Sequence, residues 1–436
     1  MNLNSNAPHT FSKISIIGLG YIGLPTAAVL ASRKIHVVGV DVNQTAVDSI
    51  NRGEVHFKEP ELDIVVQAVV SQGYLRATLQ AEPADAFLIA VPTPFKENHQ
   101  PDLSHIKAAS QSIAHVLQKG NLVILESTSP VGATEQMATW LADARPDLTF
   151  PQSNGDQSDI RIAHCPERVL PGQVLRELVQ NDRVIGGMTP TCSAKAVQLY
   201  KLFVEGECIV TQVRTAEMCK LTENSFRDVN IAFANELSII CDKLDINVWE
   251  LIQLANRHPR VNILQPGPGV GGHCIAVDPW FIVSSVPEEA KLIATARQVN
   301  DSKPAWVVNK VKSAVAEFLI KNPVKTARDV TITCCGLTFK ADIDDLRQSP
   351  ALAITREIAL YHSGHVLVVE PNIKTLPSDL LGLAELCGIE DALAETDIVL
   401  ILVDHQSFRD LPFTFQNKYI TVDIRGMYHV NKHSNL

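Results

Sequence analysis

Three glycines, Gly18, Gly20 and Gly23, stand between a short apolar run, Lys13–Ile17, and an alanine-rich stretch of helical character, Pro25–Ser32. A second apolar run, His36–Val40, ends on Asp41, twenty-one residues after Gly20. Strand, glycine turn, helix, strand and acid in that order form a βαβ unit, and such a unit commits the chain to a parallel, doubly wound sheet. The chemistry is constrained with the topology. The glycines admit a pyrophosphate to the helix N-terminus, whose N–H groups lack partners, and the acid accepts hydrogen bonds from a ribose. An acid at Asp41 repels a 2′-phosphate, so the expected cofactor is NAD rather than NADP. Taken alone, the glycines would be equally consistent with a tight strand-to-helix turn.

Further strands are expected at Ala86–Val91 and Leu122–Leu125, followed by Pro92-Thr93-Pro94 and by Glu126-Ser127-Thr128-Ser129-Pro130. Open α/β sheets bind ligands at the carboxyl ends of their strands, which makes Thr93, Thr128 and Thr134 candidate cofactor contacts, with helix caps as the alternative. Shorter strands are expected around Cys165-Pro166-Glu167-Arg168, Arg183–Gly187 and Cys208–Thr211. A helix of about thirty residues follows, Thr215–Leu244, with no proline or glycine inside it. At 100° per residue Met218, Leu221, Val229, Ala232, Phe233, Leu237, Ile239 and Ile240 share one arc, and Lys220, Asn224 and Arg227 line the other. The polar stripe is either a functional face or a solvated one.

Helical pattern returns at Val248–Asn256, Glu288–Val299 and Pro304–Ile320. A second α/β pattern then begins with a strand at Val330–Cys334, Gly336-Leu337-Thr338-Phe339-Lys340, a helix at Ser349–Tyr361, and strands at His365–Val369, Asp397–Val403 and Tyr419–Asp423. The fold expected is α/β: two Rossmann-like doubly wound sheets joined by a helical segment with a long central helix. The boundaries are 1–212 for the NAD-binding domain, 213–321 for the central helical region and 322–436 for the second Rossmann-like domain. A length of 436 residues accommodates three such parts.

Residues 267–280, GPGVGGHCIAVDPW, set Cys274 behind four glycines in six positions and four residues before Asp278. Glycines shape a loop and bring a ligand close to the main chain, so Cys274 is a candidate reactive thiol; a turn followed by a core cysteine is the alternative. The nine cysteines are scattered, with no spacing of a metal site, and are expected to stay reduced. With 48 acidic against 38 basic residues the chain carries a formal charge of −10, which argues against nucleic acid or acidic membranes as partners. An anionic ligand would need a local basic pocket. The N-terminal residues lack the features of a signal peptide, and no apolar run is long enough to insert in a membrane, so a cytoplasmic protein is expected.

Cys274, the helix bearing Lys220 and the glycine fingerprint together resemble the nucleotide-sugar 6-dehydrogenases, the UDP-glucose/UDP-mannuronate dehydrogenase family, over about residues 13–426. The UDP-glucose enzymes carry an aromatic after Pro-Glu where this chain has Arg168. Cys-Pro-Glu-Arg-Val-Leu-Pro-Gly, KLTENSFRDVNIAFANEL and HPRVNILQPGPGVGGHCIAVDPW are instead similar to the enzymes acting on 2-acetamido sugars. The resemblance implies Cys274 as nucleophile and Lys220 as acid/base. It implies substrate contacts from Arg168, Val169, Lys220, Asn224, Arg227, His258, Arg260, Gly271 and Lys340, and from Arg425 across a dimer interface. It also implies NAD contacts from Tyr21, Ile22, Asp41, Thr93, Thr134 and Arg347.

By the same resemblance, the primary alcohol at C6 of a UDP-amino-sugar is oxidised twice, to a carboxylate, with two NAD and one water. Lys220 assists removal of the hydroxyl proton, and Arg227 with desolvation would lower its pKa. Cys274 captures the aldehyde as a thiohemiacetal and passes through a thioester, which water cleaves. Asp278 and Glu167 are candidates to orient that water, or else partners in salt bridges. The sugar configuration at C2 rests on resemblance alone: manno is expected, gluco is the alternative. The manno product would supply a bacterial surface polysaccharide such as enterobacterial common antigen. A homodimer is expected. Remoter alternatives are a two-electron alcohol dehydrogenase and a non-catalytic NAD-binding protein.

Overall fold

A computed structural model describes residues 11–428, apart from 58, 171, 273 and 411–417. The chain divides into two compact units, one formed by residues up to Glu223 with Trp280–Ser285, the other by Asn224–Pro279 with the chain from Val286 onward.

The first unit is built on an eight-stranded sheet in the order β3-β2-β1-β4-β5-β6-β7-β8. Its strands are β1 (Lys13–Ile17), β2 (His36–Val40), β3 (Leu75–Thr78), β4 (Ala86–Ile89), β5 (Leu122–Leu125), β6 (Arg161–His164), β7 (Arg183–Gly187) and β8 (Cys208–Gln212). All neighbours pair in parallel except β6 and β7. Every residue of β4 and β5 is buried, as a sheet covered by helices on both faces requires. Alternate residues feed two cores: Ile14, Ile16 and Leu88 face one layer, Ile17, Phe87 and Ile89 the other. The edge strand β3, LRAT, escapes a sequence reading because only Leu75 and Ala77 are buried in it. Strand β6 ends at His164, so Cys165–Arg168, expected within a strand, is the loop leaving its carboxyl end.

The second unit repeats the design with five parallel strands in the order β11-β10-β9-β12-β13. These are β9 (Ile332–Cys335), β10 (Val366–Val369), β11 (Glu385–Leu386), β12 (Ile398–Ile401) and β13 (Ile420–Asp423). Both sheets are thus Rossmann-like, with the first strand of each unit third in the strand order, flanked by the second strand on one side and a crossover strand on the other.

Two helices of 31 residues, Val213–Lys243 and Lys291–Lys321, stand out. The second runs unbroken through Pro304, where the sequence pattern of Glu288–Val299 continues into Pro304–Ile320. Proline has no N–H and frees the carbonyl of Asn300, four residues earlier. That carbonyl and the proline ring both face Gly269, where a side chain would come within 3.4 and 3.5 Å of them.

The central helix corrects the expected arcs. Leu221 and Ala232 are buried, but Met218, Phe233 and Ile240 are exposed, as is Phe226, whereas Asn224, Asp228 and Asn235 are buried. A polar network explains the reversal. Arg297 donates to Asp228 at 2.6 Å, Asn300 donates to Asp228 at 2.8 Å, and Asn235 donates to Asn300 at 2.9 Å. Paired polar groups can be buried, and that is what frees the apolar stripe to face outward.

Candidate active site

In the first unit each fingerprint glycine has its own steric reason. Gly18 has φ +92°, and its N–H donates to Val40 O at 2.8 Å. A Cβ on Gly23 would lie 1.8 Å from Gly18 O, so the helix Gly23–Ser32 could not pack on β1 with any other residue there. Around Gly20 a Cβ would meet nothing within 4 Å, which leaves the turn open on the side where a pyrophosphate would sit. Asp41 follows β2 and accepts from Leu19 N and Asn43 N, each at 2.9 Å. Tyr21, 39% exposed, packs its ring on Phe57, and Ile22 is half-buried beside it.

Thr93, beyond β4, is buried with a hydroxyl that has no partner among the described residues. An open glycine cradle and an orphaned hydroxyl at the carboxyl edge of the same sheet fit NAD, which Gly18, Gly20, Gly23, Asp41 and Thr93 would hold. Thr134 is placed differently: it is fully buried, and its N–H and hydroxyl both donate to Glu217, at 2.8 and 2.7 Å. Glu217, on the central helix, also takes Gly132 N at 2.7 Å and so holds the start of the helix Ala133–Ala144. Periodicity gave no reason to single out Glu217.

Glu167 is a salt-bridge residue here. One carboxylate oxygen takes the N–H of Arg168 at 2.7 Å, and the other takes buried Arg183 at 2.5 Å. Both oxygens are engaged, the salt-bridge arrangement that the sequence left open beside a water-orienting role. Beside this pair Tyr200 donates to Glu126 at 2.7 Å, and burial, reinforced by the charge of Glu167, pushes the Glu126 carboxyl up to about 7. Arg168 reaches Glu223 at 2.7 Å, and Val169 packs against the core. Lys220 is half-buried on the central helix. Exposed Arg227 stands two turns further on, about 10 Å along the axis, too far for a close pair of cations.

The second unit holds the cysteine loop. Cys274 is the one exposed cysteine of the nine, and none of the nine is disulfide-bonded. Its carbonyl accepts Asp278 N at 2.9 Å, at the start of the helix Asp278–Ser285. The Asp278 carboxylate, buried, accepts from Asn224 Nδ2 at 2.5 Å. The glycines are dictated by neighbours: a Cβ on Gly271 would lie 2.7 Å from both Gln348 O and Phe339 Cβ, and one on Gly272, at φ +81°, would lie 2.9 Å from the Phe339 ring. Gly267 N donates to Asn235 at 2.9 Å, so the buried network of the central helix also anchors this loop.

A cavity of about 250 Å³ is lined by Pro268, Gly269, Phe339, Lys340, Asp404 and Arg425, among others. Lys340 and Arg425 make it a basic pocket suited to a diphosphate. Arg425 bonds Asp404 at 2.7 and 2.9 Å and lies against Gly267 of its own chain. His258 and Arg260 are exposed on a loop that Asn256 fastens to Ile263 at 2.7 and 2.9 Å. Arg347 pairs with Asp345 at 2.6 Å, and its carbonyl accepts Gly272 N at 3.1 Å. No helix among the described residues is long and apolar enough to cross a membrane.

Comparison with known proteins gives matches along the chain. Family models of the UDP-glucose/GDP-mannose dehydrogenase family match in three parts: the NAD binding domain over residues 12–204, the central domain over 214–302 and the UDP binding domain over 333–430. A UDP-N-acetyl-D-mannosamine dehydrogenase of Salmonella typhi is 65% identical over 96% of this chain and 100% of its own length. An NDP-N-acetyl-D-galactosaminuronic acid dehydrogenase of Ralstonia nicotianae is also 65% identical, over 96% of each chain. Among solved structures, a UDP-D-ManNAc dehydrogenase of Pyrococcus horikoshii superposes with a TM-score of 0.84 at 37% identity, covering 95% of this chain and 96% of that one.

Proposed function

The chain belongs to the UDP-glucose/GDP-mannose dehydrogenase family, and on that premise we propose that it oxidises C6 of UDP-N-acetyl-D-mannosamine to the carboxylate, with two NAD and one water. The observation that carries this reading is the exposure of Cys274, alone among nine cysteines, on a loop shared with a basic cavity. Residues 1–212 bind NAD, 213–321 carry the central helix and the cysteine loop, and 322–436 bind the UDP portion.

Lys220 accepts the C6 hydroxyl proton as the alcohol becomes an aldehyde. Bound NAD supplies the hydride acceptor at each of the two oxidations. The Cys274 thiolate adds to the aldehyde carbon and keeps the half-oxidised sugar in place between them. Loss of the second hydride leaves a thioester, and water attacks its carbonyl carbon, releasing the carboxylate and the thiol. Asp278, held by Asn224, is the carboxylate assigned to that water. Lys340 and Arg425 bind the diphosphate, Arg168, Val169, Asn224, Arg227, His258, Arg260 and Gly271 complete the sugar-nucleotide contacts, and Thr134 and Arg347 stay assigned to the NAD side.

A second reading has a specific warrant, since the Ralstonia nicotianae relative is equally identical and is named for a galacto product. Incubating the protein with NAD and, in turn, the manno, galacto and gluco UDP-N-acetyl sugars tests both. We expect two NADH per manno sugar and slower turnover of the others; one NADH per sugar would overturn the four-electron reading. Cys274→Ala should stop the second oxidation. The product suits surface-polysaccharide synthesis, and the activity is placed in the cytoplasm, where thiols stay reduced. A homodimer is supported by an apolar stripe on the central helix.

A further inference from the structure

Strand β9 runs into Gly336, at φ +93°, whose N–H donates to Val369 O at 2.8 Å, as Gly18 donates to Val40 O at the same distance. Leu337 N then donates to Glu370 at 2.8 Å, as Leu19 N donates to Asp41 at 2.9 Å. The second unit therefore repeats the glycine turn of the first as far as the acid that follows the second strand.

The two acids then part company. Asp41 is half-exposed, with two backbone donors on it. Glu370 is buried and takes five donors: Leu337 N at 2.8 Å, Thr338 N at 3.2 Å, Asn372 N at 2.9 Å, Asn372 Nδ2 at 3.2 Å and His405 Nε2 at 3.0 Å. A carboxylate has about four lone-pair sites, so none remains for a ribose hydroxyl. His405, fully buried, accepts Asp342 N at 2.9 Å and Asn372 Nδ2 at 3.1 Å on Nδ1, which leaves the proton on Nε2, facing Glu370. Thr338 Oγ1 donates to Lys340 O at 2.8 Å.

The segment 337–342 is thereby pinned at four points, and between the pins stand Phe339 and Lys340. Lys340 lines the basic cavity, and Phe339 occupies the space that makes Gly271 and Gly272 obligatory. We infer that Glu370 and His405 are positioning residues that hold segment 337–342, and through it set both the diphosphate pocket at Lys340 and the surface on which the cysteine loop rests. The inference depends on reading Lys340 as a diphosphate ligand.

The test compares full-length wild type with Glu370→Gln, His405→Ala and His405→Asn. Affinities for UDP and for NAD are measured by calorimetry, and kcat and KM with the UDP-sugar in parallel. An amide at position 370 turns an N–H toward donors that need an acceptor. Glu370→Gln and His405→Ala should therefore weaken UDP binding roughly tenfold and raise the UDP-sugar KM alike, with NAD affinity unchanged. His405→Asn, whose side-chain oxygen stands near the place of Nδ1, should recover part of that loss. Folded variants that bind UDP like wild type, or that lose UDP and NAD equally, would overturn the inference. Should Glu370→Gln not fold, the Ala and Asn variants of His405 give the same comparison. A wild type that binds no UDP would instead sink the reading of the pocket itself.

Discussion

A Cβ at position 23 would press on the backbone of Gly18, whereas one at position 20 would point into open space. The two glycines, alike in sequence, therefore answer to different forces, helix–strand packing and ligand access. Gly23→Ala should cost on the order of 3 kcal/mol and lower the melting temperature steeply, because backbone cannot yield as a side chain does. Gly20→Ala should melt like wild type and lose NAD affinity instead, by about tenfold. Melting curves and NAD titrations of both separate the roles; equal effects would refute them. Glu126 adds a pH dependence. Its folded carboxyl, raised to about 7, keeps its proton after the unfolded one has ionised near pH 4.5, so its stabilising contribution is complete below pH 4.5 and lost as pH rises to 7. Denaturant melts should show wild type losing on the order of 3 kcal/mol over that window relative to Glu126→Gln, since each tenfold change in proton affinity is worth about 1.4 kcal/mol. Parallel pH profiles would remove Glu126 as the cause.

The central helix shows how a sequence-level pattern can be right about type and wrong about face. Its existence follows from a stretch free of proline and glycine, but the apolar arc is not its buried side. Phe226, Phe233 and Ile240, seven residues apart, are 68, 51 and 45% exposed, and Leu244 is 62% exposed. A stripe of this kind on a helix asks for an apolar partner, and a second copy supplies one by symmetry. If two copies pair through this stripe, as proposed above, Phe233→Asp should yield a monomer in sedimentation without melting the fold, because the side chain is already half in water. A dimer that survives the substitution would place the interface elsewhere. Pro304 teaches a parallel lesson: a helix breaker by propensity, it is tolerated inside Lys291–Lys321, where its ring and the carbonyl it frees both face a glycine.

At the scale of the whole molecule, each unit has its own sheet and its own cores, Phe11 to Val204 and Ile17 to Ile162 in one, Val307 to Ile424 and Cys335 to Tyr428 in the other. Ligands that bind one folded unit stabilise that unit by about 2.7 kcal/mol at a hundred times Kd. Scanning calorimetry should therefore resolve a transition raised by NAD and another raised by UDP; one transition moved alike by both would deny the independence of the units. The amino-acid sequence by itself determined both α/β halves, the NAD fingerprint and the exposed-cysteine candidate, because strand, turn and acid are set by local spacing and by the hydrophobicity of buried parallel strands. Only the tertiary structure decided which polar groups are paired. Glu167 went to Arg183, Thr134 to Glu217, Arg425 to Asp404 and Glu370 to His405, partners that lie 16 to 83 residues away in the chain. A polar side chain carries no periodic signal for its partner; hydrogen-bond satisfaction is settled when the core closes, and that is where the site acquires its geometry.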